Sequence, residues 1–301
     1  MSQSVKKEMM SFAEKESSAL AITAASGKLG HAIAKKLIAQ DISQSTRLIA
    51  RSPNKLRFDG RQQFDVVVGN YEDGRSMAAA FSGIDTALII SSMGPDTTRI
   101  RHHKIAIDAA IATGVKRIVY TSSANTQQHS WTRVHIETEK YLKQCGIPHT
   151  ILRVGTYFSN FDYLFFAAIQ FQRLFFPNVT VPISFITQDD VAAAALKVLT
   201  TRGHENKTYE ILAEEPVSMS ELAKMITHIL GKQIIPVVIP VEAFVAQLKN
   251  KVPDYAAPLF GKFYAAIAAG ECARTSKDMK ILTGCPPTSA WAYLNTFIKS
   301  V

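Results

Sequence analysis

The chain of 301 residues, with 47% hydrophobic and 20% charged residues, has the length of one large domain or two closely packed ones. This balance is typical of a soluble globular protein and excludes a disordered or fibrous one. The formal net charge of +9 would favour an anionic partner, but the basic residues are scattered and no run reaches five. The densest cluster, residues 99–104, is interpreted as a solvated basic face, so nucleic acid is not an expected partner.

The cysteines and the apolar runs exclude several further classes. Cys145, Cys272 and Cys285 are far apart and form no C-x-x-C motif, which predicts no metal site and indicates a reducing compartment, the cytoplasm. Residues 1–18 are polar and predict a flexible extension rather than a signal sequence. The most apolar long run, Tyr163–Phe176, contains two glutamines and an arginine and is too short for a membrane span.

The stretch Leu20–Gly30 predicts the start of a dinucleotide-binding fold. Apolar, strand-like residues lead into a turn of small residues, and a helical pattern follows with Leu29, Ile33 and Leu37 on one face. Small residues let backbone N–H groups approach a pyrophosphate, and the helix N-terminus adds partial positive charge. Lys28 could add a full positive charge there.

One glycine of the usual turn pattern is missing. Gly27 and Gly30 are present, but Ala24 occupies the position of the first glycine in T-G-x-x-G-x-x-G. Alanine is costly wherever φ is positive. Two alternatives stay open: Ala24 has negative φ in a slightly displaced loop, or the cofactor site is weakened.

Strands and helices alternate strictly through the first half of the chain, which predicts a doubly wound parallel sheet of the Rossmann type. The predicted strands are 20–23, 46–50, 64–68, 86–91, 116–121 and 149–153. The predicted helices between them lie near 29–37, 76–81, 98–113 and 131–144.

The end of the second strand predicts the choice of cofactor. An acidic residue at this place would bind a ribose 2′-hydroxyl and favour NAD, but the sequence after Ala50 begins with Arg51 and contains Lys55. Both cations could hold a 2′-phosphate, which favours NADP(H). The alternative is that Arg51 is a surface residue beside a turn.

Further cofactor contacts are expected at the carboxyl ends of the later strands, where ligands bind in open α/β sheets. No metal ligands are predicted. The residues predicted to bind the cofactor are Thr23, Ala24, Ser26, Gly27, Lys28, Leu29, Arg51, Lys55, Asn70, Tyr71, Ser91, Ser92, Met93, Thr121, Ser122, His135, Gly155 and Tyr157.

The composition changes after Val154. Eight aromatic residues lie within residues 158–176 and are interpreted either as the core of a smaller lobe or as an aromatic wall beside the nicotinamide. Helices are predicted at 188–199, 240–249 and 291–298, and strands at 207–212 and 234–239. A capping box, Ser218 to Glu221, predicts a helix that extends to about Leu230. Residues 253–275 contain many Ala, Gly and Pro residues and could form a lid.

Three segments carry a resemblance to a known family. Residues 106–123, the run His135–Lys140 (HIETEK) and Gly146–Arg153 (GIPHTILR) resemble the NmrA-like atypical short-chain dehydrogenase/reductases. Among these the chain is most similar to the type 2 NAD(P)H quinone oxidoreductases. The resemblance covers nearly the whole chain from about residue 19 and is weaker between residues 163 and 186.

The resemblance implies an NADPH-binding Rossmann domain at residues 19–155 and a smaller substrate lobe of α/β structure at residues 156–301. It also implies that segments near 186–213 return to border the first domain. The implied reaction is hydride transfer to a quinone or similar flat aromatic acceptor, and a homodimer is a possible assembly.

The implied catalytic residue is His135. None of the nine tyrosines begins the Tyr-x-x-x-Lys pair of typical short-chain dehydrogenases. In the isoflavone-reductase-like relatives a lysine does this work, and His135 occupies its place, eleven residues before Gly146. Histidine there could donate a proton near neutral pH. The alternative is that His135 only packs at a helix start or contacts the nicotinamide ribose.

Three functions therefore stay open. The first is an NADPH-dependent quinone reductase, for which positioning over the nicotinamide could supply most of the rate enhancement. The second is a non-catalytic NADP(H) sensor of the NmrA type that binds a protein partner. The third is an epimerase or another reductase of the same fold.

Overall fold

The computed structural model describes residues 19–56, 64–124, 132–247 and 256–301. Four predicted features lie wholly or partly outside these ranges: the N-terminal extension, the first residue of the helix expected at 131–144, the end of the one expected at 240–249 and the start of the expected lid.

A seven-stranded parallel sheet forms the centre of the larger domain. The strands are β1 (Leu20–Ile22), β2 (Thr46–Ala50), β3 (Asp65–Val68), β4 (Thr86–Ile89), β5 (Arg117–Ser123), β6 (His149–Val154) and β11 (Lys207–Ile211). Their spatial order is β11-β6-β5-β4-β1-β2-β3, so the order reverses between β1 and β4. The predicted doubly wound parallel sheet is thus confirmed.

Helices cover both faces of this sheet. The first four are α1 (Lys28–Ala39), α2 (Gly74–Phe81), α3 (Asp96–Ala112) and α4 (Arg133–Gln144). Leu29, Ile33 and Leu37 of α1 are all buried, as the helical spacing predicts. They belong to one hydrophobic core, whereas α2, α3 and α4 close a second core on the opposite face.

Two later segments return to the sheet. Helix α6 (Gln188–Thr200) packs against α1, and α10 (Asp278–Thr283) packs against α6 and β11. The bounds of the two domains stay a prediction, but residues 188–211 and 278–283 clearly contribute to the sheet and its core rather than to the smaller lobe.

The smaller lobe has its own hydrophobic core. The short strands β7 (Thr156–Tyr157) and β10 (Phe185–Ile186) pair with each other beside the large sheet. The other elements are α5 (Asp162–Phe171), β8 (Arg173–Phe176), β9 (Pro182–Ile183), β12 (Val217–Ser218), α7 (Met219–Leu230), β13 (Ile235–Val238), α8 (Val241–Ala246), α9 (Ala256–Ala268) and α11 (Ala290–Ser300).

The aromatic run and the capping box fall in this lobe. Phe158, Phe161, Phe165 and Phe176 are fully buried and pack in its core, mostly edge to face. The Ser218 side chain accepts a hydrogen bond from the Glu221 N–H, and the Glu221 carboxylate accepts one from the Ser218 N–H, so the predicted box is confirmed.

Among the described residues, no helix combines the length and the apolar character that crossing a bilayer requires.

Candidate active site

A cavity of about 820 Å³ opens at the carboxyl ends of the parallel strands, where the two lobes meet. This lies in the usual size range of cofactor and ligand sites. All of the predicted cofactor-binding residues except Lys55 line its wall. Segments far apart in sequence converge there because the carboxyl ends of parallel strands share one edge of the sheet.

The turn between β1 and α1, which is predicted to bind the pyrophosphate, has at Ala24 a backbone conformation that glycine favours. Ala24 has φ of +49°, so the expected alternative of negative φ is wrong. The Gly27 N–H donates to the Ala24 carbonyl over 2.9 Å and closes the turn directly before α1. A Cβ on Gly30 would lie only 2.6 Å from the Ala25 Cα, which explains why glycine is needed where the helix crosses the strand end.

Thr23 and Tyr71 line the cavity, but their hydroxyl groups are engaged in protein contacts. The Thr23 hydroxyl donates to the Leu88 carbonyl and accepts from the Ile90 N–H, each over 2.9 Å. The Tyr71 hydroxyl contacts Thr23 Oγ1 and the Ile90 carbonyl. Burial raises the pKa of Tyr71 well above its usual value. These two side chains therefore hold β1, β4 and the loop after β3 together beneath the site.

Of the two cations expected to hold a 2′-phosphate, only Arg51 lines the cavity. Arg51 follows β2 directly and is exposed, whereas Lys55 lies in a 3₁₀ turn (Pro53–Lys55), exposed and away from the wall. His102 of α3 also lines the cavity, and its Nε2 lies 3.5 Å from the Glu72 carboxylate, outside hydrogen-bond geometry. Burial lowers the pKa of His102, and Glu72 partly opposes this shift.

The cavity wall also contains a buried cation, which was expected on a solvated face. Arg99, in the first turn of α3, is only 7% exposed and lines the cavity. Its Nε donates to the Ser92 carbonyl over 2.7 Å, and Nη2 lies 3.1 Å from both Ser91 Oγ and His135 Nε2. The interpretation of this cluster as solvated is therefore wrong for Arg99.

The predicted catalytic residue His135 is buried beside this cation. Its Nε2 faces the Arg99 guanidinium, which can only donate, so the ring proton belongs on Nδ1, 3.1 Å from the Tyr120 hydroxyl. Burial first, and the charge of Arg99 second, lower the pKa of His135 well below 6.5. The expectation that His135 titrates near neutral pH is therefore wrong, and the imidazole is neutral there.

A second histidine, His103, supports the same wall. Its Nε2 accepts from the Ser92 N–H over 2.9 Å, and its Nδ1 donates to Thr138 Oγ1 over 2.8 Å. Thr138 in turn donates to the Val134 carbonyl, which fixes this direction of donation. Burial lowers the pKa of His103 to about 3, so this imidazole is also neutral.

Ser122 and Thr121, both predicted contacts, are oriented by neighbouring groups. The Ser122 hydroxyl donates to the Glu139 carboxylate over 2.6 Å, and Arg153 makes two hydrogen bonds of 3.0 and 2.7 Å to the same carboxylate. The hydrogen bonds to Glu139 raise the pKa of Arg153. Thr121 Oγ1 accepts from the Ser91 N–H. These bonds fix the ends of β4, β5 and β6 relative to one another.

The smaller lobe supplies the opposite wall. Gly155, Tyr157 and Asn160 line it from the exit of β6, and a Cβ on Gly155 would meet the Ser184 carbonyl at 2.9 Å. The aromatic surface comes from α9, where Phe260 and Phe263 line the cavity with Leu259.

Of the two interpretations of residues 158–176, the core of the smaller lobe is confirmed and the wall beside the nicotinamide is wrong. The fully buried phenylalanines of that run form the lobe core, and none of its aromatic residues lines the cavity. The described part of the predicted lid, 256–275, begins with the helix α9 and faces the cavity.

Sequence reasoning missed Arg99, His102 and the α9 aromatics as wall residues. A signal for the first two was present: Arg99, His102, His103, Ala106 and Ile107 recur at helical spacing and are all buried. The polar residues thus continue an apolar face into the site. Phe260 and Phe263 carried no comparable signal, because their position depends on how the two lobes pack.

The chain is similar to known proteins over nearly its whole length. A model of the NmrA-like family matches residues 16–269. Quinone oxidoreductase 2 of Escherichia coli (strain K12) is 33% identical over 273 residues, which cover 90% of this chain and 95% of that protein.

Solved structures are similar to the chain over the same length. The NADPH-dependent quinone oxidoreductase of Escherichia coli in complex with NADPH is 31% identical, with a TM-score of 0.86 over 93% of this chain and 99% of that one. Triphenylmethane reductase of Citrobacter sp. in complex with NADP(H) is 29% identical, with a TM-score of 0.86 over 94% and 100% of the two chains.

Proposed function

The chain belongs to the NmrA-like family, and from that premise we propose that it is an NADPH-dependent oxidoreductase that reduces a quinone or a similar flat acceptor by hydride transfer. One observation carries the proposal. A single cavity of about 820 Å³ is lined both by the turn before α1 with Arg51 and by His135, Arg99 and the α9 aromatics. A dinucleotide and a second flat molecule together need such an extended site.

The residues present fit NADP(H). The turn before α1 consists of small residues up to Gly27, which lets its backbone approach a pyrophosphate, and Gly30 lets α1 start close to the strand end, because a Cβ there would collide with the Ala25 backbone. The N-terminus of α1, with Lys28 in its first turn, adds positive charge there. Arg51 stands where NAD-binding folds have an acidic residue, and a guanidinium matches a 2′-phosphate.

When bound, the cofactor supplies the hydride. The chain's own residues then bind the cofactor and the acceptor, orient them and shield them from water. The ends of β4 and β5 present Ser92 and Thr121 in fixed positions, while Arg99 and His135 form a buried polar wall. Such a site is expected to accelerate hydride transfer mainly by positioning the two reactants.

The acceptor is proposed to lie against α9. Phe260, Phe263 and Leu259 give an apolar surface opposite the polar wall, and Met93 and Tyr157 border it. A flat aromatic ring matches both surfaces, because it can stack on phenylalanine while its oxygen faces the polar side. Quinone, dye and similar ring systems are therefore the proposed substrate class, in agreement with the names of the relatives.

Steady-state oxidation of NADPH with a panel of benzo-, naphtho- and anthraquinones and one triphenylmethane dye tests the proposal. The expected result is saturable turnover with at least one acceptor and a lower KM for NADPH than for NADH. Calorimetric titration with NADP⁺ is the companion measurement. Tight binding without turnover of any acceptor would instead support the sensor function, and no binding at all would overturn both.

Two further expectations complete the proposal. The three cysteines are free, which fits the cytoplasm as the proposed compartment. A homodimer stays a prediction, which light scattering of the purified chain measures.

A further inference from the structure

The Arg99 guanidinium is a positive charge in a place where water is largely excluded. The side chain is 7% exposed, lies on the cavity wall, and is held by Ser91, Ser92 and His135 at 2.7–3.1 Å. Arginine keeps its charge under all ordinary conditions. A charge in such surroundings acts on a neighbouring ligand more strongly than one in water, because screening is weak.

The neighbouring imidazoles cannot serve as acids at neutral pH. His135 accepts from Arg99 through Nε2, and His103 accepts from the Ser92 N–H through Nε2, so both rings carry their single proton on Nδ1. Each Nδ1 faces a protein hydroxyl, that of Tyr120 or Thr138, rather than the cavity. Tyr120 is itself fully buried, and burial raises its pKa well above the usual value. The polar wall therefore offers a fixed positive charge but no mobile proton.

We propose that Arg99 is the catalytic residue of the acceptor site, where its guanidinium stabilises the oxyanion of the reduced acceptor, and that His135 is a positioning residue that holds Arg99. This inference rests on the proposed function and deepens it. The acceptor takes up a hydride, which is one proton with two electrons, from the reduced nicotinamide and becomes a hydroquinone monoanion. The nicotinamide is oxidised in the same step, and a proton from water later neutralises the hydroquinone.

The same geometry defines the substrate class more narrowly. The acceptor must place negative charge on an oxygen, or on another atom of equal charge density, once it has received the hydride. Quinones meet this requirement because hydride uptake yields an aromatic phenolate. The electrostatic contribution of a donor aimed at such developing charge is large in a preorganised site.

The test compares Arg99→Met with the matched control Arg101→Met. Arg101 lies two residues further along α3, is exposed, and does not line the cavity. Arg99→Met should lower kcat/KM for the best quinone by about 10²–10³-fold, the usual loss for a removed oxyanion donor. Arg99→Lys should retain part of the activity, and Arg101→Met should match wild type. Calorimetric affinity for NADPH should change less than threefold in all three variants.

A spectroscopic measurement tests the charge without turnover. 4-Nitrophenol, whose ionised form absorbs visible light, is titrated into the complex with NADP⁺ as a stable analogue of the phenolate product. Wild type should bind the phenolate and lower its pKa, Arg99→Met should abolish the shift, and His135→Gln should reduce it. Thermal unfolding checks that each variant is folded, and Arg99→Lys replaces Arg99→Met if the latter is not.

Several results would overturn the inference. Retention of kcat/KM within threefold in Arg99→Met would remove the catalytic role, and so would an unshifted nitrophenol pKa in wild type. A tenfold loss of NADPH affinity in Arg99→Met would assign the residue to the cofactor phosphates instead. A wild-type rate that falls between pH 6 and 7, with the fall absent in His135→Gln, would restore His135 as the acid. If wild type reduces no quinone, the proposed function fails, whereas the nitrophenol titration still decides the role of Arg99.

Discussion

Replacing Ala24 by glycine should stabilise the fold but leave cofactor affinity unchanged. Ala24 has φ of +49°, a left-handed conformation that costs a non-glycine residue about 1–2 kcal/mol. Glycine removes this strain but adds about 0.4–1 kcal/mol of conformational entropy to the unfolded chain. The midpoints of the two ranges differ by about 0.8 kcal/mol, which is the net gain expected in the free energy of unfolding. Because the backbone already has the conformation that glycine favours, the affinity for NADPH should change less than twofold.

Urea unfolding and calorimetric titration with NADPH measure the two quantities, and Ala25→Gly is the matched control. Ala25 is fully buried and has no positive φ, so glycine there should lower the free energy of unfolding by about 1 kcal/mol. Equal destabilisation by both variants would show that Ala24 is not strained. A tenfold gain in NADPH affinity for Ala24→Gly would show that the alanine distorts the turn, contrary to the reasoning above.

Three further predictions concern Arg51, Phe263 and the two buried histidines. Arg51→Ala should weaken NADPH binding by about 1–3 kcal/mol, the range of a charged hydrogen bond, and leave NADH binding nearly unchanged; Lys55→Ala, away from the cavity, should leave both near wild type in calorimetry. Phe263→Ala should raise KM for flat acceptors at least threefold in steady-state assays, and an unchanged KM would move the acceptor away from α9. Burial lowers the pKa of His103 and His135 in the folded state, so the unfolded chain binds more protons than the folded one below pH 6.5. The free energy of unfolding should therefore fall as the pH drops below the unfolded pKa of about 6.5. The loss is up to about 1.4 kcal/mol per pH unit for each ring. Chemical unfolding at pH 7.5, 6 and 5 measures this loss, and a His103→Asn variant with an unchanged slope would contradict it.

The sheet and its first helix could be predicted because their signals are local. Strict alternation of apolar strands and amphipathic helices specifies a parallel sheet, and the spacing of Leu29, Ile33 and Leu37 specifies the buried face of α1. Most of the predicted site residues follow from the same logic. Once the strands are parallel, their carboxyl-terminal residues must meet at one edge.

The acceptor side could not be predicted in the same way. An aromatic residue in a run such as 158–176 can equally face a core or a cleft, and only the packing of the lobe decides which. The wall aromatics instead come from α9, nearly a hundred residues later in the chain. The state of His135 was missed for a related reason. An imidazole's pKa depends on its burial and on nearby charge, and Arg99 arrives from a different helix.

Arg51 and Arg99 both line the cavity but differ in burial, and this difference determines how each charge can act. Arg51 is exposed, so solvent and salt screen its attraction, which suits the recognition of a 2′-phosphate proposed for it. Arg99 is buried and is oriented by three protein groups, so its field acts over a short range with little screening. Reduction of a quinone creates charge and needs no proton in the same step. A fold that lacks the Tyr-x-x-x-Lys pair can therefore support this reaction with a fixed cation alone, whereas reduction of a simple ketone to an alkoxide would require the missing acid.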